Sequence, residues 1–142
     1  MRGIAYIFGE DISTDIILPT DYTHGSTIDY KHVFDPVRPG FAKEITKGDI
    51  IVAGKNFGSG SSRESAPIAI QLAGISVVVA ESFSRIFYRN AIAIGLPVIT
   101  AEKITDFVSE GNEIEVNLDT GIIVNHTTGD EVEGESMPRE IQ

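Results

Sequence analysis

The sequence predicts an α/β domain with a parallel central sheet and β-hairpin additions, and three observations carry that reading. Short β-branched runs at 49–53, 75–80 and 96–100 alternate with two longer, helix-compatible segments at 62–73 and 82–94. Unbroken Val/Ile runs suit strands buried on both faces, and strand–helix–strand order implies parallel pairing with right-handed crossovers. After residue 112 the pattern switches to strict alternation, Glu113-Ile114-Glu115-Val116-Asn117-Leu118. A turn at Asp119-Thr120-Gly121 and a return through Ile122-Ile123-Val124-Asn125 complete a β-hairpin.

The elements follow in order. Residues 4–8 form a first strand, ended by Gly9-Glu10-Asp11. Residues 12–19 mix polar and apolar positions and stop at Pro19. Residues 20–48 are rich in Asp, Thr, Gly and Pro. They read as a long loop with a short helix near 30–33, and a loop of that length is often functional; we expect it to order on assembly. The strand at 49–53 leads through Gly58-Ser59-Gly60-Ser61-Ser62-Arg63-Glu64 into the helix at 62–73, which Gly74 closes. Gly95 ends the second helix in the same way. Glu131, Glu133, Glu135 and Glu140 read as a solvated tail. No repeat or linker divides the chain, so one domain spanning 1–142 is expected.

Composition narrows the function. With 142 residues, 42% hydrophobic and 23% charged, the chain can build a real core. A net charge of −10 without a basic stripe argues against nucleic acid as a partner. The chain has no cysteine, so neither a disulfide nor a thiolate metal site can form within it. His24, His32 and His126 lack metal-ligand spacing. The apolar stretch after Gly3 is too short for a signal-peptide core, and nothing approaches a membrane span. A cytoplasmic protein with no metal of its own and no membrane contact is expected.

The glycine loop carries the chemistry. A glycine turn feeding a helix start exposes backbone N–H groups in the positive field of the helix dipole. Ser61, Ser62 and Arg63 add two hydroxyls and a guanidinium, which suits a carboxylate or a phosphate. Ser61-x-x-Glu64 also reads as a capping box. Capping leaves Arg63 unexplained, because a cation is disfavoured in a first helical turn. Ser13-Thr14-Asp15 is a second polar cluster beyond a strand. Taken alone it reads as a turn or cap, but ligands of open α/β sheets gather at strand C-terminal ends, where both clusters can line one crevice. Lys55-Asn56 can add an anion contact. Arg85 and Arg89 either share that site or line an outer face. No Lys-Ser/Thr follows the glycines as in a Walker loop, and no histidine partner marks a serine hydrolase.

These residues resemble a known family. The run Gly54-Lys55-Asn56-Phe57-Gly58-Ser59-Gly60-Ser61-Ser62-Arg63-Glu64, followed by Ala66-Pro67, is similar to the hallmark of the aconitase-superfamily swivel domain. The stretch from Gly9 to Pro19, Ser82-Phe83-Ser84-Arg85-Ile86-Phe87-Tyr88-Arg89-Asn90-Ala91 and Gly95-Leu96-Pro97 extend the likeness. Within that superfamily the chain resembles the free-standing small subunit of the isopropylmalate dehydratase branch. The resemblance implies a swivel-like β/β/α fold and a hydro-lyase acting on a small 2-hydroxy dicarboxylate. It implies that Ser61 is the base for the carbon-bound proton, that Ser62 and Arg63 bind a substrate carboxylate, that Thr14 also contacts the substrate, and that Asp15 joins the catalytic network. It also implies a [4Fe-4S] cluster carried by a partner large subunit and none on this chain. The helix cap is then the device that stabilises Ser61 as a base. Self-association of the isolated chain is compatible with such a role.

Two departures stand out. Ser65 replaces a histidine common after the Ser-Ser-Arg-Glu run. The segment Tyr22-Thr23-His24-Gly25, in the loop thought to select substrate, matches neither the apolar isopropylmalate pattern nor the arginine of homoaconitate relatives. Tyr22, Thr23 and His24 are therefore the expected specificity contacts. Dimethylmalate, a citramalate-like acid or homoaconitate remain alternative substrates, as does a non-catalytic anion-binding module on the same fold.

Overall fold

The structure is a computed structural model that describes residues 1–19, 23–24, 27–61 and 63–135, with the backbone alone at Thr23, His24 and Thr27. In chain order the elements are β1 (Arg2–Phe8), α1 (Thr14–Ile17), β2 (Thr23–His24), β3 (Thr27–Ile28), a 3-10 turn (Tyr30–His32), α2 (Phe41–Glu44) and β4 (Ile50–Ala53). There follow α3 (Ser65–Leu72), β5 (Val77–Ala80), α4 (Arg85–Ile94), β6 (Val98–Thr100) and α5 (Ile104–Phe107). The hairpin strands β7 (Glu113–Val116) and β8 (Ile122–Asn125), and then β9 (Glu131–Glu133), complete the described chain.

The β-branched runs pair as their composition requires. β1, β4, β5 and β6 are parallel neighbours, with Ile7 opposite Val52, Val52 opposite Val79 and Val79 opposite Ile99. β1 also pairs antiparallel with β7, so the hairpin extends the central sheet instead of standing apart, in the order β6-β5-β4-β1-β7-β8-β9. Both faces are buried. Phe8, Ile51, Ala53 and Val78 pack under α1, α3 and α4 with Ile17, Ile70 and Phe87, while Ile50, Val52, Val77 and Val79 face Ile104, Ile114 and Ile123. Residues of adjacent position on one strand thus enter opposite cores, as period-2 geometry demands.

Two expectations change. The acidic tail supplies β9, where Glu131 and Glu133 stay exposed while Val132 packs inward. The alternation covers only three residues, too few to read against a run of glutamates. Beyond it, Glu135 exchanges two backbone hydrogen bonds with Thr100 of β6, at 3.2 and 2.7 Å, and joins the opposite rims of the sheet. The long loop is also less loose than its composition suggests. Val33, Phe34 and Phe41 are fully buried, and Phe34 stacks on Phe8 at 4.4 Å between ring centroids. Aromatic anchors hold this part of the loop in the chain's own core without a regular periodicity.

Asp49 sits buried at the N-terminal edge of the parallel strands and accepts hydrogen bonds from Ile4 N at 3.1 Å, Thr46 N at 2.9 Å and the Tyr6 hydroxyl at 3.1 Å. Burial, reinforced by that carboxylate, pushes the Tyr6 phenol from its ordinary 10.0 up to about 12. The unfolded chain ionises first, so stability present below pH 10.0 is lost as pH rises towards about 12. Denaturant midpoints measured across that window should fall for the wild type and fall less for Tyr6→Phe. An equally steep decline in the variant would assign the effect to other groups.

Candidate active site

The parallel strands of β1 and β4 do not end together with their side-chain pattern; their backbones run on side by side. Gly54 N donates to Gly9 O at 3.1 Å, Asp11 N to Lys55 O at 2.9 Å, Gly58 N to Ile12 O at 2.7 Å and Thr14 N to Ser59 O at 2.9 Å. A third arm joins from β5, since Phe57 N donates to Ser82 O at 3.0 Å and Ser84 N to Phe57 O at 2.9 Å. The two polar clusters therefore meet beyond the C-terminal ends of the strands, where the topology places a ligand.

Glycine is required at the centre of this junction. Gly58 has φ +83°, and a Cβ there would lie 2.3 Å from Cγ of Phe87. Phe87 is buried and packs edge-on against Phe57 at 5.2 Å. Gly60 has φ +91° but no crowding from the described residues, with Ser13 Cβ and Thr14 Oγ1 both at an ordinary 3.7 Å from a built Cβ. The first glycine answers to packing and backbone together, the second to the turn alone.

Each expected residue has a definite place. Ser13 caps α1, its hydroxyl accepting from Ile16 N at 3.2 Å, so the plain cap reading holds for that residue. Asp15 is exposed, its side chain 66% accessible, and accepts a hydrogen bond from Arg63 Nη1. Arg63 is largely covered, 16% accessible, and its Nη2 donates to Leu18 O at 2.6 Å. The guanidinium thus ties the two clusters together. Thr14 was expected at the substrate. It is buried, and its hydroxyl donates to Ser61 O at 3.1 Å, so it pins the backbone of Ser61.

Ser61 is exposed at the loop tip. The capping box expected from Ser61 and Glu64 does not form. α3 starts at Ser65, with Glu64 at the cap position and no side-chain hydrogen bond there. Arg63 accordingly precedes the helix, which removes the conflict between its charge and the dipole. Ser65 is the first residue of α3. Ser62 and Tyr22 lie outside the described residues, as do the side chains of Thr23 and His24. The latter two residues form β2, paired with β3.

Lys55 is exposed, and Arg85 and Arg89 are exposed along α4, on an outer face. Asn56, expected beside Lys55 as an anion contact, is joined by its side chain to Asp11, a partner the sequence reading did not suggest; both have left-handed backbones, φ +60° and +55°. The signal was present: Gly9-Glu10-Asp11 and Gly54-Lys55-Asn56 share the form Gly–charged–Asp/Asn at two strand ends. Among the described residues, no three His, Asp or Glu side chains gather closely enough to hold a metal ion, and no helix is long and apolar enough to cross a membrane.

Known proteins resemble this chain along most of its length. The aconitase C-terminal domain family matches residues 10–103. A 3-isopropylmalate dehydratase small subunit from Aquifex aeolicus is 52% identical, with 99% of this chain and 86% of that protein covered. The isopropylmalate/citramalate isomerase small subunit of Methanocaldococcus jannaschii is 49% identical, over 97% of this chain and 83% of that protein. A crystal structure of 3-isopropylmalate dehydratase from the same organism superposes with a TM-score of 0.91 at 42% identity, covering 99% of this chain and 84% of that one.

Proposed function

The chain belongs to the aconitase C-terminal domain family, and from that premise we propose that it is the small subunit of a cytoplasmic, two-subunit iron–sulfur hydro-lyase. The enzyme interconverts 3- and 2-isopropylmalate by reversible loss and return of water, in leucine biosynthesis. The observation that carries this reading is the meeting of Asp15, Ser61 and Arg63 at one strand edge, with Arg63 hydrogen-bonded to Asp15 and Thr14 holding the Ser61 carbonyl.

Ser61 takes the carbon-bound proton of the substrate on Oγ and returns it in the reverse direction. Arg63 and Ser62 hold a substrate carboxylate, with Asp15 setting the orientation of the guanidinium. Tyr22, Thr23 and His24 contact the distinguishing side of the substrate. A serine hydroxyl is a weak base, and each well-placed oxyanion donor contributes about 2.7–4 kcal/mol to a stabilised anion. The dipole of α3 adds little, because its field fades within one turn and the helix starts four positions after Ser61. Arg63 and a dry surface brought by the large subunit have to supply the difference.

This chain does not fit an iron–sulfur cluster, which is held by cysteine thiolates, because it has none. We assign the cluster to the large subunit and derive from this chain only the proton transfer and the carboxylate contacts. A second substrate, citramalate, is favoured by the isomerase relative that acts on both acids in name.

The test is reconstitution. The purified chain alone should show no turnover. Mixed anaerobically with its large subunit and iron, it should interconvert the isopropylmalates, and a panel including citramalate, dimethylmalate and homoaconitate should rank below or beside them. Turnover of none of these diacids by the complex would overturn the assignment.

A further inference from the structure

The catalytic assignment leaves one side-chain pair beside the site without a role. Asp11 and Asn56 occupy matched positions where β1 and β4 pass into the two arms that carry Asp15 and Ser61. Both are exposed, and both adopt a left-handed backbone, an unusual state that Asp and Asn tolerate better than other side chains. Asn56 Nδ2 donates to Asp11 Oδ1 at 3.0 Å, and Asn56 N donates to Ser82 Oγ at 2.8 Å. Three strand ends are therefore fastened at one residue. Neither Asp11 nor Asn56 belongs to the buried core, so packing does not account for the pair. Unusual backbone states of this kind persist where the surroundings determine them, and they gather at functional sites.

We infer that Asn56 and Asp11 form a positioning clamp, in which their mutual hydrogen bond sets the shared bend of the two arms and thereby the placement of Ser61 against Asp15 and Arg63. The inference rests on Ser61 and Asp15 acting as proposed above. The chain of connection is short: Asn56 is followed by Phe57, then by Gly58 bonded to Ile12 O, Ser59 bonded to Thr14 N, and Ser61 bonded to the Thr14 hydroxyl. Successive hydrogen bonds therefore link the backbone at Asn56 to that at Ser61.

The test uses the complex assembled with its large subunit, with this chain in excess so that assembly is complete. Asn56→Asp keeps the shape and the left-handed tolerance but replaces the donor with a second carboxylate. Turnover number should fall by about 10- to 100-fold, the loss expected when a reacting group is slightly misplaced. KM and the melting temperature of the free subunit should stay close to wild type. The exchange variant, Asp11→Asn with Asn56→Asp, restores one donor and one acceptor and should recover most of the lost turnover. Wild-type turnover in Asn56→Asp, a loss matched by a fallen melting temperature, or no recovery in the exchange variant would each overturn the clamp. Ser61→Ala is run alongside. If it is inactive while Asn56→Asp is fully active, only the clamp fails; if it is active, the base role that the clamp serves fails as well.

Discussion

Ser61→Ala in the assembled enzyme is expected to lower kcat by about 10²–10⁴-fold, the range that a positioned general base contributes. The substitution removes one oxygen from an exposed loop tip, and the hydroxyl it deletes caps no helix, since α3 begins at Ser65. Folding should therefore be untouched, and thermal melts of the free subunit should coincide. Thr14 still holds the carbonyl of residue 61, because that bond is made to the backbone. Arg63 still pairs with Asp15, so substrate should bind with little change in affinity. The combination expected is lost turnover, retained binding by calorimetry and loss of exchange of the carbon-bound proton with solvent. Retained turnover would remove Ser61 as the base.

Gly58→Ala should produce the largest change in stability. A methyl group at this position lies 2.3–2.6 Å from three atoms of Phe87 and forces φ +83° on an alanine. Overpacking of a buried ring and the left-handed penalty together amount to about 2–5 kcal/mol. For a domain of this size that is about 5–20 °C in melting temperature. Gly60→Ala is the control that separates the two causes. It has the same sign of φ, at +91°, but nothing among the described residues closer than 3.7 Å, so only the backbone penalty of about 1–2 kcal/mol applies. Equal losses in the two variants would show that the contact with Phe87 is not what demands glycine.

The parallel strands and the helices between them were legible because Val77-Val78-Val79 and its neighbours carry no polar alternation, and because Gly74 and Gly95 mark the helix ends with left-handed backbones. The hairpin was legible from its period of two. Other features were not. α1 and α2 are single turns held by tertiary contacts, Ile17 and Phe41 being fully buried, and four residues carry too little period to read. The start of α3 was placed too early because Ser61 and Glu64 have capping-box spacing. The loop spends those residues elsewhere, with the carbonyl of Ser61 bonded to Thr14. Nor does the local sequence show that Thr14 is buried and that its hydroxyl is bonded to the carbonyl of Ser61. The site itself was legible as two separate clusters, and only the pairing of Asp11 with Lys55 and of Ile12 with Gly58 brings them together.

The bond pair between Thr100 and Glu135 has a consequence for the life of the free subunit. A sheet that is open at both rims offers each rim as a template for a strand from another molecule, and a subunit waiting for its partner is exposed to that hazard. Here Glu135 reaches back to β6, with Gly134 fitting against Ile99, Thr100 and Ala101 where any Cβ would collide. The circle of strands is nearly shut, and the last strand before the seam carries Glu131 and Glu133 outward. Like charges there discourage a second copy from adding its own edge. With Glu135 bonded to β6 and the charges of β9 facing outward, the sheet keeps little open edge for a second copy to extend.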